Sequence, residues 1–170
     1  ISSPRLDDLQ CAYTSLQGFL KGQHSQTIQV FACFDNEEVG SSTKQGAAST
    51  FLYDTLYRIH HHLFQNDEDF YRAVASSFML SGDNAHAVHP NHPEKTDQQN
   101  GVYMNQGIVV KSHAGQKYTS DALSIAVLKD LCEKAGVPLQ FFANRSDMLG
   151  GSTLGNIAMS QVSMNCVDIG

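Results

Sequence analysis

Segments with helical periodicity alternate with short apolar runs along this chain of 170 residues, and that alternation limits the fold to one class. Strands are predicted at residues 27–34, 77–81, 107–111, 139–142 and 164–169. Helices are predicted at residues 7–22, 43–64, 69–76, 119–135 and 150–162, with Gly136 as the C-cap of the fourth. Runs this apolar are typical of strands buried on both faces. We therefore expect an α/β fold with three layers, α/β/α, around a largely parallel, mixed central sheet.

Charge and cysteine content narrow the classes of partner. The chain carries 11 Lys and Arg against 17 Asp and Glu, which gives a net charge of −6. No cluster of basic residues interrupts this balance, which argues against nucleic-acid binding and against a membrane-surface role. No apolar run approaches the roughly 20 residues of a membrane helix. The four cysteines form no CxxC pair, which indicates free thiols in a reducing, cytoplasmic compartment.

Acidic residues cluster at the ends of predicted elements. Asp35, Glu37 and Glu38 follow the first strand, Asp83 follows the second, and Asp7 begins the first helix. In sheets of this class the chemistry lies beyond the carboxyl ends of the strands. Carboxylates that converge there repel one another, and one or two divalent ions such as zinc, manganese or cobalt relieve the repulsion. The alternative is that these acids are solvated loop residues or helix caps.

Four motifs occur in a fixed order through nearly the whole chain. They are Pro4-Arg5-Leu6-Asp7, Asp35-Asn36-Glu37-Glu38-Val39-Gly40-Ser41, Asp83-Asn84-Ala85-His86-Ala87-Val88-His89-Pro90-Asn91 and Gly151-Ser152-Thr153. Together they resemble the aspartyl aminopeptidase family of cytosolic dinuclear-zinc metallopeptidases. The resemblance implies a zinc-peptidase-like sheet that is incomplete in this chain. It also implies that residues 1–170 are the central segment of a catalytic domain, with the flanking segments and an oligomerisation insert absent, and that the intact protein is a large homo-oligomer.

The resemblance also implies roles for single residues. Asp7 matches a carboxylate that bridges two metal ions, Glu38 matches a ligand of one ion, and Asp83 matches a ligand of the other. Glu37 matches the general base that takes a proton from metal-activated water. The implied cofactors are two divalent metal ions, zinc first, with manganese or cobalt as alternatives. The family's two histidine ligands match no position in this sequence, so we expect the 170-residue chain alone to be inactive.

Three residues are candidates for substrate binding. Lys111 ends the third predicted strand, where the resemblance places a lysine near the pocket for the substrate's N-terminal side chain. A cation there would pair with Asp or Glu, whereas the alternative is a solvated strand-end lysine. Tyr118 is a weaker candidate for the same pocket, and His89 is assigned to a substrate contact. Arg145 and Asp147 either pair with each other or line the site.

The sequence therefore predicts a metal-dependent aminopeptidase that removes N-terminal Asp or Glu from peptides. One alternative is a related dinuclear metal amidohydrolase acting on a small acylated amino acid. Another is a non-catalytic assembly or cargo protein that retains the fold. The presence of both Glu37 and Glu38 favours the enzymes over the non-catalytic protein.

Overall fold

The computed structural model describes residues 3–23 and 26–170. Its helices are α1 (Leu6–Lys21), α2 (Glu37–Gly40), α3 (Phe51–Phe64), α4 (Asp67–Ala75), α5 (Ala122–Ala135) and α6 (Leu154–Ala158). Its strands are β1 (Phe78–Gly82), β2 (Ile108–Ser112), β3 (Leu139–Ala143) and β4 (Asn165–Ile169). Within the described residues, none of these helices has both the length and the hydropathy needed to cross a membrane.

The four strands form one mixed sheet in the order β1-β4-β2-β3. The pairs β1–β4 and β2–β3 are parallel, and β2 and β4 run antiparallel where Val110 meets Ile169. The predicted α/β fold with a largely parallel, mixed sheet is therefore confirmed. Because β2 and β4 are antiparallel, the carboxyl ends of β1 and β4 lie at one end of the strands, and those of β2 and β3 lie at the other end.

Strand β2 is buried on both faces, as its apolar sequence predicts. Val110 is fully buried and packs with Leu128 and Cys132 of α5. Val109 points to the other face, where it packs with Tyr118 and with residues Val102 and Phe142. Successive side chains alternate between the faces of a strand, so these two valines anchor two separate core clusters.

Helix α5 shows how the local sequence fixes the ends of an element. The Asp121 side chain accepts from the Ser124 N–H at 2.7 Å, and the Ser124 hydroxyl accepts from the Asp121 N–H at 2.9 Å. This reciprocal capping box satisfies two backbone donors at the start of the helix. At the other end Gly136 adopts the left-handed conformation (φ 65°), which confirms the predicted C-cap.

Three predicted elements differ from the structure, and one of them, the predicted helix at 150–162, is helical only at Leu154–Ala158. The predicted strand at 27–34 is wrong for the described residues: this run belongs to no helix or strand, and Ile28 and Val30 are 75% and 55% exposed. A strand requires a neighbour to pair with, and β1, at the edge of the sheet, does not pair with this run. The predicted helix at 43–64 begins only at Phe51, because residues 43–50 form turns in which the Ala48 N–H donates to the Ser41 carbonyl at 2.9 Å.

Candidate active site

Three aspartates from two distant parts of the chain meet beyond the end of β1. One oxygen from each of Asp7, Asp8 and Asp83 lies within 4.8 Å of the other two. Asp7 and Asp8 occupy the first turn of α1 and are joined by a cis peptide bond. Asp83 directly follows β1, where its N–H donates to the carbonyl of Ile169 at 3.0 Å. The fold therefore places Asp7 beside Asp83 and adds Asp8, which the sequence analysis assigned to no site.

The three carboxylates disfavour one another's ionised forms. The pKa of Asp7 is raised to about 6, first by partial burial, then by the charge and hydrogen bond of Asp83, and then by the charges of Asp8 and Glu38. Burial also raises the pKa of Asp8, against the lowering effect of the hydrogen bond that it accepts from the Asn84 N–H. The cluster thus holds more negative charge than its surroundings stabilise. A divalent cation would supply the missing charge, and carboxylate oxygens are suitable ligands for zinc, manganese or cobalt.

Asn84 fixes the geometry of this cluster. Its backbone N–H donates to the Asp8 carboxylate at 3.2 Å, and its side-chain amide donates to the Leu6 carbonyl at 3.0 Å. The Cys11 thiol donates to the Asn84 side-chain oxygen at 2.7 Å. These three bonds tie the loop after β1 to the first turns of α1. The only sequence signals for this role are the adjacency of Asp8 to Asp7 and of Asn84 to Asp83.

Glu37 and Glu38 lie in the electrostatic field of the three aspartates. They form the start of the short helix α2, after Asn36 in the left-handed conformation (φ 60°). Partial burial raises the pKa of Glu37, and the charges of Asp83, Glu38 and Asp7 raise it further. Glu38 raises the pKa of both Asp7 and Glu37, although its oxygens lie outside the compact group of three aspartates. The assignment of Glu38 as a ligand stays a prediction.

Lys111 is a buried partner of Asp83. Its Nζ lies 3.0 Å from the Asp83 carboxylate and 3.3 Å from the Asn84 carbonyl, and the residue is 4% exposed. The Tyr118 ring centroid is 5.8 Å from the same Nζ, within the range of a cation–π contact. Burial excludes the solvated strand-end lysine. It also means that Lys111 offsets part of the negative charge of Asp83, which the sequence could not indicate.

A cavity of about 240 Å³ opens beside Asp83 and Lys111. Its walls also include Tyr118, whose burial raises the pKa of its phenol. The remaining walls come from residues 84–86, 95–97, 142–145 and 148–153. Two of the three predicted substrate-binding residues, Lys111 and Tyr118, therefore share one cavity next to the acidic cluster.

His89 lies outside the lining of this cavity. Its Nδ1 accepts from the Asn91 N–H at 3.1 Å, and its ring is 5.3 Å from that of His92. His86, which belongs to the same motif, does line the cavity, and its ring meets Phe142 edge to face at 5.1 Å. Within the described residues, His86 is thus the histidine of this motif that faces the cavity.

Arg145 pairs with Asp147 and also lines the cavity, which are the two alternatives that the sequence left open. Its guanidinium binds the Asp147 carboxylate at 2.8 Å through Nε, and it also donates to the Glu94 carbonyl. Arg145 lines the cavity as well. Because Asp147 already neutralises it, Arg145 contributes less free positive charge to the cavity than its position suggests.

Comparisons with known proteins agree with the motifs and the fold. The chain matches the family described as aminopeptidase I zinc metalloprotease (M18) over residues 1–170. A protein of Clostridium acetobutylicum named "Probable M18 family aminopeptidase 2" is 51% identical over 170 residues, which cover 100% of this chain and 39% of the relative.

Solved structures show the same relationship. The Ape4 and Nbr1 complex, solved by cryo-EM, contains a chain with a TM-score of 0.89 and 36% identity, covering 99% of this chain and 33% of that one. The mApe1 dodecamer of S. cerevisiae gives a TM-score of 0.75 and 25% identity, covering 99% of this chain and 38% of that one. The present chain spans about two fifths of the length of the curated relative above. It belongs to the aminopeptidase I zinc metalloprotease (M18) family.

Proposed function

We propose that the protein is a metal-dependent aminopeptidase that removes N-terminal Asp or Glu from peptides. The observation that carries this proposal is the meeting of Asp7, Asp8 and Asp83 beside a cavity that contains a buried lysine. Membership of the M18 family supports an aminopeptidase over an amidohydrolase acting on acylated amino acids. The acidic preference is supported by Lys111 alone.

Asp7, Glu38 and Asp83 would hold two divalent ions, zinc first. The fit is supported by the raised pKa of Asp7, which reports carboxylates without enough positive charge around them. Asp8 is close enough to be a further ligand or to orient Asp7. When bound, a divalent ion polarises the peptide carbonyl as a Lewis acid and offsets the charge of the site.

Glu37 would carry the proton during the reaction. Its carboxylate accepts a proton from the attacking water and later delivers that proton to the leaving amine. The raised pKa of Glu37 supports this role, because a base works best when its pKa lies closer to the operating pH. Its position at the start of α2 places the Glu37 carboxylate where the charges of Asp83, Glu38 and Asp7 act on it.

Lys111 would recognise the acidic side chain of the substrate. It is rigidly held on β2 in the cavity wall, with Tyr118 against it. Its present partner is Asp83, so recognition requires Lys111 to share its three donors between Asp83 and the substrate carboxylate. A charge-assisted bond of this kind contributes roughly 1.5–3 kcal/mol.

We also propose that the intact protein is a cytoplasmic homo-oligomer. The dodecameric state of the S. cerevisiae mApe1 structure supports assembly from identical subunits. All four cysteines are free thiols, with Cys132 and Cys166 buried, Cys11 partly buried and Cys33 exposed, which suits a reducing compartment.

The decisive experiment measures the substrate range of the intact protein. The purified, zinc-loaded protein is assayed on dipeptides that differ only in an N-terminal Asp, Glu, Asn or Ala, and on N-acetyl-aspartate. We expect kcat/KM to be at least ~10-fold higher for Asp and Glu than for Asn and Ala, with no turnover of N-acetyl-aspartate. Faster hydrolysis of N-acetyl-aspartate would favour the amidohydrolase, and no hydrolysis of any substrate would favour the non-catalytic protein. Equal rates for Asp and Asn peptides would refute the acidic preference.

A further inference from the structure

Asp168, on β4, is a buried carboxylate that takes no part in the acidic cluster. It is 1% exposed, and it accepts from three donors. The backbone N–H and hydroxyl of Thr119 reach one oxygen at 2.6 and 3.1 Å, and the hydroxyl of Thr153 reaches the other at 2.6 Å. A buried carboxylate with this many donors is well stabilised and links the segments that supply them.

Both donor segments form walls of the cavity. Thr119 directly follows Tyr118, which lines the cavity and contacts Lys111. Thr153 lines the cavity itself and ends the segment 150–153. Asp168, on the central strand β4, is therefore hydrogen-bonded to two segments of the cavity wall. One segment precedes α5 and the other precedes α6.

The backbone around Asp168 adds to this connection. The Asp168 N–H donates to the Ser120 hydroxyl at 3.0 Å, which holds the Thr119 segment against β4 a second time. The Thr153 hydroxyl also accepts from the Gly155 N–H at 3.3 Å, so it caps α6. A Cβ at Gly155 would lie 2.2 Å from the Asp168 carboxylate, and only glycine lets α6 approach so closely.

We propose that Asp168 is a positioning residue for substrate recognition. It sets the placement of Tyr118 and Thr153, and thereby the width of the cavity in which Lys111 meets the acidic side chain. This inference rests on the proposed function and extends it to a residue that contacts no substrate. Its loss leaves three donors without their acceptor and releases both walls, so it weakens substrate binding more than it slows the chemical step.

The test compares two substitutions on neighbouring residues of β4 in the intact, zinc-loaded protein. Asp168→Ala removes the acceptor, whereas Val167→Ala removes buried volume on the opposite face, against α5. We expect Asp168→Ala to raise KM for an N-terminal Asp peptide by about 10-fold with kcat within ~3-fold. Val167→Ala should lower Tm without changing KM. Calorimetric binding of free L-aspartate should weaken by the same factor as KM in Asp168→Ala.

Two further variants test the same role of Asp168 if Asp168→Ala does not fold. Asp168→Asn retains an oxygen that accepts from Thr119, so its KM should lie between those of wild type and Asp168→Ala. Thr153→Val removes one donor and should raise KM by at least ~3-fold. An active wild type whose KM is unchanged in the folded variants overturns this inference alone. A wild type with no activity on N-terminal Asp peptides overturns the proposed function, and this inference with it.

Discussion

Asp168 and Asp7 are two carboxylates of this fold that differ in what surrounds them. Asp168 is almost completely buried and accepts from three donors of Thr119 and Thr153. Asp7 is much less buried, and its partial burial, together with the acids around it, raises its pKa to about 6. Depth of burial alone therefore does not determine whether a carboxylate is stabilised.

The comparison shows how structural and ligand-binding carboxylates can be distinguished in this fold. A buried carboxylate whose oxygens accept from several backbone and hydroxyl donors is already stabilised by the protein and acts as a structural link. A carboxylate surrounded by other acids remains uncompensated until a cation binds. By this criterion Asp168 belongs to the framework, whereas we propose that Asp7 and Asp83, with Asp8 beside them, take part in a metal site.

The largest expected effect concerns Glu37, which lies beside the three aspartates. Glu37→Gln keeps the shape of the side chain but removes the base, and it should lower kcat of the intact protein by at least ~100-fold. Zinc content should stay at the wild-type level, because Glu37 is not assigned as a ligand. Glu38→Gln is the matched control and should lose zinc instead. A near-normal kcat in Glu37→Gln would assign the proton transfer to another group.

The second-largest expected effect concerns Lys111 and tests whether this lysine binds the acidic side chain of the substrate or only Asp83. Lys111→Met should reduce the ratio of kcat/KM for N-terminal Asp over Asn peptides by about 10- to 150-fold. Lys95→Met removes an exposed lysine of the same cavity and should change that ratio by less than ~3-fold. An unchanged ratio in Lys111→Met would leave Lys111 as a partner of Asp83 and shift the specificity to Arg145.

Measurements of the free energy of unfolding test the close packing around Asp168. Gly155→Ala places a Cβ against the Asp168 carboxylate and the Ser81 hydroxyl, and it should lower the free energy of unfolding by about 1–3 kcal/mol. Gly18→Ala in α1, where a Cβ meets nothing within 4 Å, should raise the free energy of unfolding by about 0.5–1 kcal/mol. Equal effects of the two substitutions in chemical unfolding would contradict the close packing at Asp168.

The smallest effect is a pH dependence in the metal-free protein. The pKa of Asp7 is about 6 in the fold against an ordinary value of 3.8, so between these values the folded state binds more protons than the unfolded state. The free energy of unfolding should therefore fall as pH rises from about 4 to about 6, by about 1 kcal/mol once solvent screening is allowed for. Asp7→Asn should remove this component, and an unchanged pH slope would contradict the mutual repulsion of the cluster.

The parts of the fold that depend on local sequence were predictable. The apolar run of β2 and the glycine that ends α5 both appear where the pattern places them. The run at 27–34 did not form a strand, because strand formation depends on a partner and not on propensity alone. The start of α3 was misplaced because Gly40 and Gly46 favour turns over the periodicity that follows.

Residues of the site could be predicted from the sequence only where they stand at the end of a predicted strand or the start of a predicted helix. Asp83 stands at the end of a strand, and Asp7 stands at the start of a helix, so both could be identified. Lys111 was identified as a cavity residue, but its pairing with Asp83 depends on the registers of β1 and β2 against β4, which lies between them in the sheet. Asp168 gave no signal, because its donors lie 49 and 15 residues away.

One measurement tests the central distinction most directly: the zinc content per subunit of Asp7→Asn and Asp168→Asn in the intact protein after dialysis against zinc-free buffer. The two substitutions make the same chemical change at two carboxylates with different surroundings. Asp7→Asn should lose most of its zinc while retaining the Tm of the metal-free wild type, or exceeding it. Asp168→Asn should keep its zinc and melt at a lower temperature. Full zinc in Asp7→Asn, or equal zinc loss in both variants, would contradict the division between a metal-binding cluster and a structural carboxylate.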